Sequence, residues 1–144
     1  MAVTFELPPF LGGKVESAVY LRWLQRKARA HVTRDRKRWN HQLSISEYKQ
    51  SIHSAVLRSR GRDFYTNERL DWSLLSKYDN AKSHAGGSSY KSKFALLPTV
   101  DHVSADSRIP NFEICGWRTN DCKNDLSLAE LRAFCRKVLA CAKG

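Results

Sequence analysis

A chain of 144 residues, 42% of them hydrophobic, is long enough to bury one core and is close to the commonest size of a single domain. Its 25 Lys and Arg against 14 Asp and Glu leave a net charge of +11, which points to an anionic partner. Nucleic acid fits that excess better than a membrane surface, because no run approaches the roughly 18 apolar residues of a spanning helix. The opening segment MAVTFELPPFLGG has neither the basic start nor the long apolar core of a secretory signal, so an intracellular, cytoplasmic protein is expected.

Residues 1–13 read as an extended arm that ends in the Gly12-Gly13 turn, with Pro8-Pro9 preventing an earlier helix. From Lys14 to about Arg38 the pattern is helical: Val15, Val19 and Trp23 lie four apart, as do Tyr20, Leu24 and Ala28, and together they form one apolar stripe. The rest of this helix is basic. Between Lys14 and Asn40 stand nine Lys and Arg against Glu16 and Asp35, so much of the net charge sits on one element. Arg22, Arg26, Arg29, Arg34, Arg36, Lys37 and Arg38 are therefore candidates for tracking a phosphate backbone, with a solvated helix face as the plain alternative.

A second helix starts at the capping box Ser44-Ile-Ser-Glu47 and runs through Tyr48, Ile52 and Val56 to a stop at Gly61. Phe64–Asn67 reads as a short strand entering a turn, and Leu70-Asp71-Trp72 opens a small helix. Residues 81–92, with Gly86-Gly87-Ser88-Ser89, are the most loop-like stretch and suggest a flap in which His84 approaches substrate. His31, His41 and His53 have no partner spacing of interest.

After the flap an apolar strand run, Phe94–Leu97, leads through Pro98 and Thr99-Val100 to Asp101-His102. Phe112–Ile114 reads as a second strand and Arg118–Asn124 as a short helix. A last helix begins at the capping box Ser127-Leu-Ala-Glu130 and is expected to bury Leu128, Leu131, Phe134 and Val138. Cys115, Cys122, Cys135 and Cys141 fall too late and too close to make a secreted disulfide framework, and are expected to be buried free thiols. A zinc site on Cys115 and Cys122 suits neither a knuckle nor one helical turn, so structural zinc is not expected.

An acid and a base at the end of one strand, followed by a second strand and a helix carrying Asn, suits a metal-dependent phosphodiesterase. There a cation contacts the phosphate and leaving oxygen while a neutral imidazole takes a proton from the attacking water. The segment VDHVSADSRIPNFEICGWRTNDCKND, Val100 to Asp125, resembles the HNH (ββα-metal, His-Me finger) nuclease motif, and is especially similar to the HNH domain of RNA-guided CRISPR effectors. Asp101-His102 is followed by Asn111, by Asn120 nine residues on, by Lys123 three further and by Asp125 two further, which are the family's intervals.

The resemblance implies that His102 is the general base and that Asp101 and Asn120 hold one divalent cation, Mg²⁺ or Mn²⁺, through oxygen. It implies that Asn111 ties the loop behind the catalytic His and that Lys123 lies near phosphate, with Arg118 beside it. The loop from His102 to Asn111 is short, and Gly116 and Thr119 stand where many relatives carry a first zinc-binding cysteine pair.

The expected fold is α+β, a mainly helical N-terminal part packed on a C-terminal ββα-metal motif, in one domain. Its parts are a basic helical region over 1–62, a strand, turn and flap over 63–93, and the ββα core with its C-terminal helix over 94–144. The expected function is hydrolysis of DNA phosphodiester bonds, with RNA equally open and a homodimer needed for double-strand cutting. A catalytically inactive HNH scaffold that binds DNA or regulates explains the charge equally well.

Overall fold

Two antiparallel strands and the helix that follows them lie against a pair of longer helices, so the fold is α+β and mostly helical. The computed structural model describes residues 4–40, 43–78, 85–87, 91–103 and 110–141. His41, His84 and most of the flap expected at 81–92 lie outside them.

The N-terminal segment is not a free arm. Pro9–Leu11 forms a 3-10 turn, Leu11 is fully buried, and Phe5, Leu7 and Phe10 pack against the core. Helix α1 spans Ser17–Trp39 and ends at Asn40 in the left-handed conformation. Helix α2 spans Ile45–Ser59 and begins as its sequence predicts: Glu47 N–H donates to Ser44 Oγ and Ser44 N–H to Glu47 Oε2. The helices bury Tyr20, Trp23, Leu24, Ala28 and Val32 against Tyr48, Ile52, Ala55 and Val56. Trp72 and Leu75, from a 3-10 helix at Trp72–Ser76, and Val100, Phe112 and Ile114 from the strands complete this cluster.

Strands β1 (Pro98–His102) and β2 (Phe112–Gly116) pair so that Asp101 faces Glu113 and His102 faces Phe112. Helix α3 (Trp117–Lys123) leaves β2 without a linker. The junction needs Gly116: a Cβ there would lie 2.8 Å from the carbonyl oxygen of Ala95.

Two expected strands are turns instead. At Phe94–Leu97 the backbone folds back so that the Leu97 and Ala95 carbonyls accept the Trp117 and Arg118 N–H groups, at 2.9 and 3.1 Å. Those are donors that the first turn of α3 otherwise leaves unpaired. At Phe64–Asn67 the Asp63 carboxylate accepts the N–H groups of Tyr65 and Thr66, and Asn67 takes a positive φ. Local side-chain acceptors outcompete ladder pairing at that point.

Helix α4 (Leu128–Ala140) forms from its capping box, but none of its residues is buried. Leu128 and Leu131 are half-buried, while Phe134 and Val138 are 58% and 57% exposed, contrary to the expected burial. Nothing among the described residues covers that face. Correspondingly, of the four thiols only Cys115 is buried, and Cys122, Cys135 and Cys141 are exposed and free. No helix among the described residues is long and apolar enough to cross a membrane.

Candidate active site

The site rests on one row of α1. Trp23 sits in the apolar stripe, and Lys27, His31 and Asp35 continue its row at intervals of four. Eight residues of helix advance about 12 Å and three residues of strand about 10 Å, so this row keeps step with β1. Lys27 Nζ accordingly donates to Thr99 Oγ1 at 3.0 Å, and Asp35 Oδ2 meets His102 Nε2 at 3.1 Å. Between them the His31 ring packs on Phe112, its centroid 5.0 Å away.

Asp35 is buried and also accepts the Tyr48 hydroxyl at 2.7 Å. A carboxylate on Nε2 holds the proton of a neutral imidazole there, leaving the lone pair on Nδ1. That nitrogen is screened from solvent and has no hydrogen-bond partner among the described residues. Phe112 meets the His102 ring edge-on at 5.1 Å and fixes its plane.

Asp101 points to the other side of β1, as strand alternation requires. Its Oδ2 lies 3.2 Å from Lys123 Nζ and accepts the Tyr65 hydroxyl. Neither contact takes Oδ1. Lys123 is 2% exposed, so its ammonium is committed to Asp101 and is neither a surface lysine nor placed to meet an incoming phosphate.

Asp101, His102 and Asn120 nevertheless line one cleft of about 200 Å³, together with Arg34, Asp35 and Arg38 of α1 and with Asp121, Asn124 and Asp125. The three residues thus share a cleft although Asp101 and His102 leave β1 on opposite sides. The donor set suits a hard cation that keeps several waters or phosphate oxygens, since Mg²⁺ binds through one or two carboxylates and not a full protein cage. No group of three or more His, Cys, Asp or Glu able to hold a metal occurs among the described residues.

Other expected site residues lie elsewhere. Asn111 is exposed, and it is its backbone carbonyl that meets the loop, accepting Val103 N–H at 3.0 Å. Arg118 pairs with Glu68, and Arg36 donates to the Leu43 carbonyl at 3.1 Å. Arg22, Arg29 and Lys37 are exposed on α1, and Arg26 lines a second cleft.

His31 is kept neutral. Burial, and then the Arg34, Lys27 and His102 charges, pull its pKa down to about 3, and Arg34 donates to its Nδ1 at 2.6 Å. Below about pH 6.5 the unfolded chain binds a proton that the folded ring refuses, so His31 subtracts stability as pH falls and contributes nothing above that point. An NMR titration should show the His31 ring signals flat down to pH 4. A midpoint near 6.5 would contradict this.

Sequence reasoning missed Asp35, Tyr48, Tyr65 and Asp63. The available signal was the row Trp23, Lys27, His31, Asp35, which places charged groups on a buried face where each requires a partner.

No family model, curated protein or solved structure matches this chain.

Proposed function

We propose that the chain is an HNH-type endonuclease that hydrolyses nucleic-acid phosphodiester bonds with one Mg²⁺ or Mn²⁺ ion. What carries the reading is the cleft in which an imidazole held by a buried carboxylate adjoins Asp101 and Asn120, beside the exposed cations of α1.

In this reading Arg34 and Arg38, at the mouth of the cleft, hold the phosphate backbone, and Arg22, Arg29 and Lys37 extend that grip. His102 Nδ1 removes a proton from the attacking water, while Asp35 keeps the other ring nitrogen protonated and stabilises the imidazolium that forms. Tyr48 holds Asp35 in place. Asp101 and Asn120 would hold the cation through oxygen, with Lys123 and Tyr65 fixing the Asp101 side chain through Oδ2. When bound, the ion supplies charge for the phosphate and the leaving oxygen. Because Nδ1 is screened, substrate entry must widen the cleft at this ring. One such site cuts one strand, so double-strand breaks require a dimer.

The Lys123 contact favours a second reading, an inactive HNH scaffold that binds DNA or regulates, because an ammonium already neutralises the carboxylate meant for the ion. Incubation of supercoiled plasmid with protein, Mg²⁺ or Mn²⁺, and a chelator control separates the two. Relaxation that chelator and Asn120→Ala abolish supports the nuclease. Intact plasmid across metals and pH supports the scaffold.

A further inference from the structure

A larger cleft adjoins the first. It has a volume of about 470 Å³ and is lined by Trp23, Arg26, Lys27, Tyr78, Trp117 and Asn120 among others, so Asn120 belongs to both. That volume is in the range of pockets that take small ligands. We propose that this second cleft receives an unstacked nucleobase and its adjoining phosphate from a single-stranded segment next to the scissile bond.

Three observations support a nucleotide. First, Lys27 is half-buried and forms no ion pair among the described residues: it donates to the Thr99 hydroxyl at 3.0 Å, and its neighbour Arg26 is another cation. A half-buried ammonium beside a second cation and without a counter-ion favours an anion from outside the chain. Burial and Arg26 pull its pKa down only to about 8, which leaves it mostly charged at neutral pH. Second, the indole N–H of Trp23 is buried with no acceptor among the described residues, and a phosphate or base carbonyl supplies one. Third, Tyr78 and Trp117 meet edge to face at 5.2 Å and 85°, forming an aromatic corner in the wall of the cleft. Aromatic walls beside cations are how proteins hold unpaired bases of any sequence. A duplex keeps its bases stacked and cannot offer one to such a corner.

This inference rests on the nuclease reading only in placing the scissile phosphate near Asn120. Its test uses no cleavage. The full-length protein is titrated with an eight-nucleotide oligothymidylate in excess chelator, following the indole N–H signals of its 4 tryptophans and the affinity. The Trp23 and Trp117 signals should move, while that of Trp72, already bonded to the Gly61 carbonyl, stays. Lys27→Met, which keeps the side-chain bulk and removes the charge, should weaken single-strand binding about tenfold, and Trp117→Ala by a similar factor. Trp117→Phe should restore most of the loss. Duplex of equal length should leave both indole signals in place and bind the variants as it binds the parent protein. Unmoved indoles with single strands, parental affinity in Lys27→Met and Trp117→Ala, or equal responses to duplex would overturn the proposal. A protein that never cuts plasmid can still pass this test, and an active nuclease can fail it.

Discussion

Changing His102 to Ala should leave nucleic-acid binding within about twofold of the parent and lower cleavage by roughly 10²–10⁴-fold, the usual contribution of a positioned general base. The separation follows from where the charges lie. In the proposed reading the exposed Arg and Lys of α1 provide the backbone contacts, whereas His102, with a side chain 11% exposed, adds little surface to them. The substitution also removes one of the contacts on the Asp35 carboxylate, although Tyr48 still donates to it. Some stability is therefore lost, and an unfolding curve must show that the variant is folded under assay conditions. His102→Asn, which keeps a polar group facing Asp35, should be equally inactive and more stable. Cleavage at parental rates by either folded variant removes the base from the account.

Asp63→Ala should cost about 3–5 kcal/mol, as expected when a buried charge-assisted network loses its centre. Asp63 is 2% exposed, and its two oxygens accept four hydrogen bonds. Oδ2 takes the Gly116 N–H at 2.8 Å and the Thr119 hydroxyl at 2.7 Å, and Oδ1 takes the N–H groups of Tyr65 and Thr66 at 2.7 and 3.1 Å. One carboxylate thus ties the end of β2, the first turn of α3 and the turn carrying Tyr65 together. Each donor left unpaired in the interior costs on the order of 1–3 kcal/mol, partly recovered by relaxation. As Asn120 and Lys123 ride on α3 and Tyr65 on the turn, the site should loosen before the fold is lost. Urea unfolding measures the effect, and Asp71→Ala, at an exposed 3-10 cap, is the control, expected near 1 kcal/mol. A loss below about 1 kcal/mol for Asp63→Ala would show that the network is not what holds the hairpin to α3.

The sequence made legible what depends on neighbours a few residues away. Both capping boxes form with the partners their spacing predicts, the apolar stripe of α1 is buried, and strand, strand and helix follow in order from Pro98 to Lys123. Illegible were features set by distant groups. Phe94–Leu97 has the composition of a strand, yet its carbonyls are claimed by α3, about 20 residues on. Helix α4 has the apolar spacing of a buried helix, but periodicity says which face is apolar and not what covers it. Asp101, His102 and Asn120, which share one cleft, stood out in the sequence by their intervals, and their roles there are the proposal. The groups that hold them, Asp35, Tyr48, Tyr65 and Asp63, come from 36 to 67 residues away and carry no local motif. Lys123 read as a surface residue because lysines usually are, and only the fold sets it against Asp101.

In the proposed site one hard cation binds between Asp101 and Asn120 beside the His102 ring. Titration of isotopically labelled protein with substoichiometric Mn²⁺, read as paramagnetic broadening of backbone and Asn side-chain signals, tests it without substrate. Early, selective broadening is expected at 100–103 and 119–121, reversed by excess Mg²⁺ and absent in Asp101→Asn. Uniform broadening, or broadening centred on the acidic first turns of α2 and α4 while the Asn120 side chain is untouched, would contradict it.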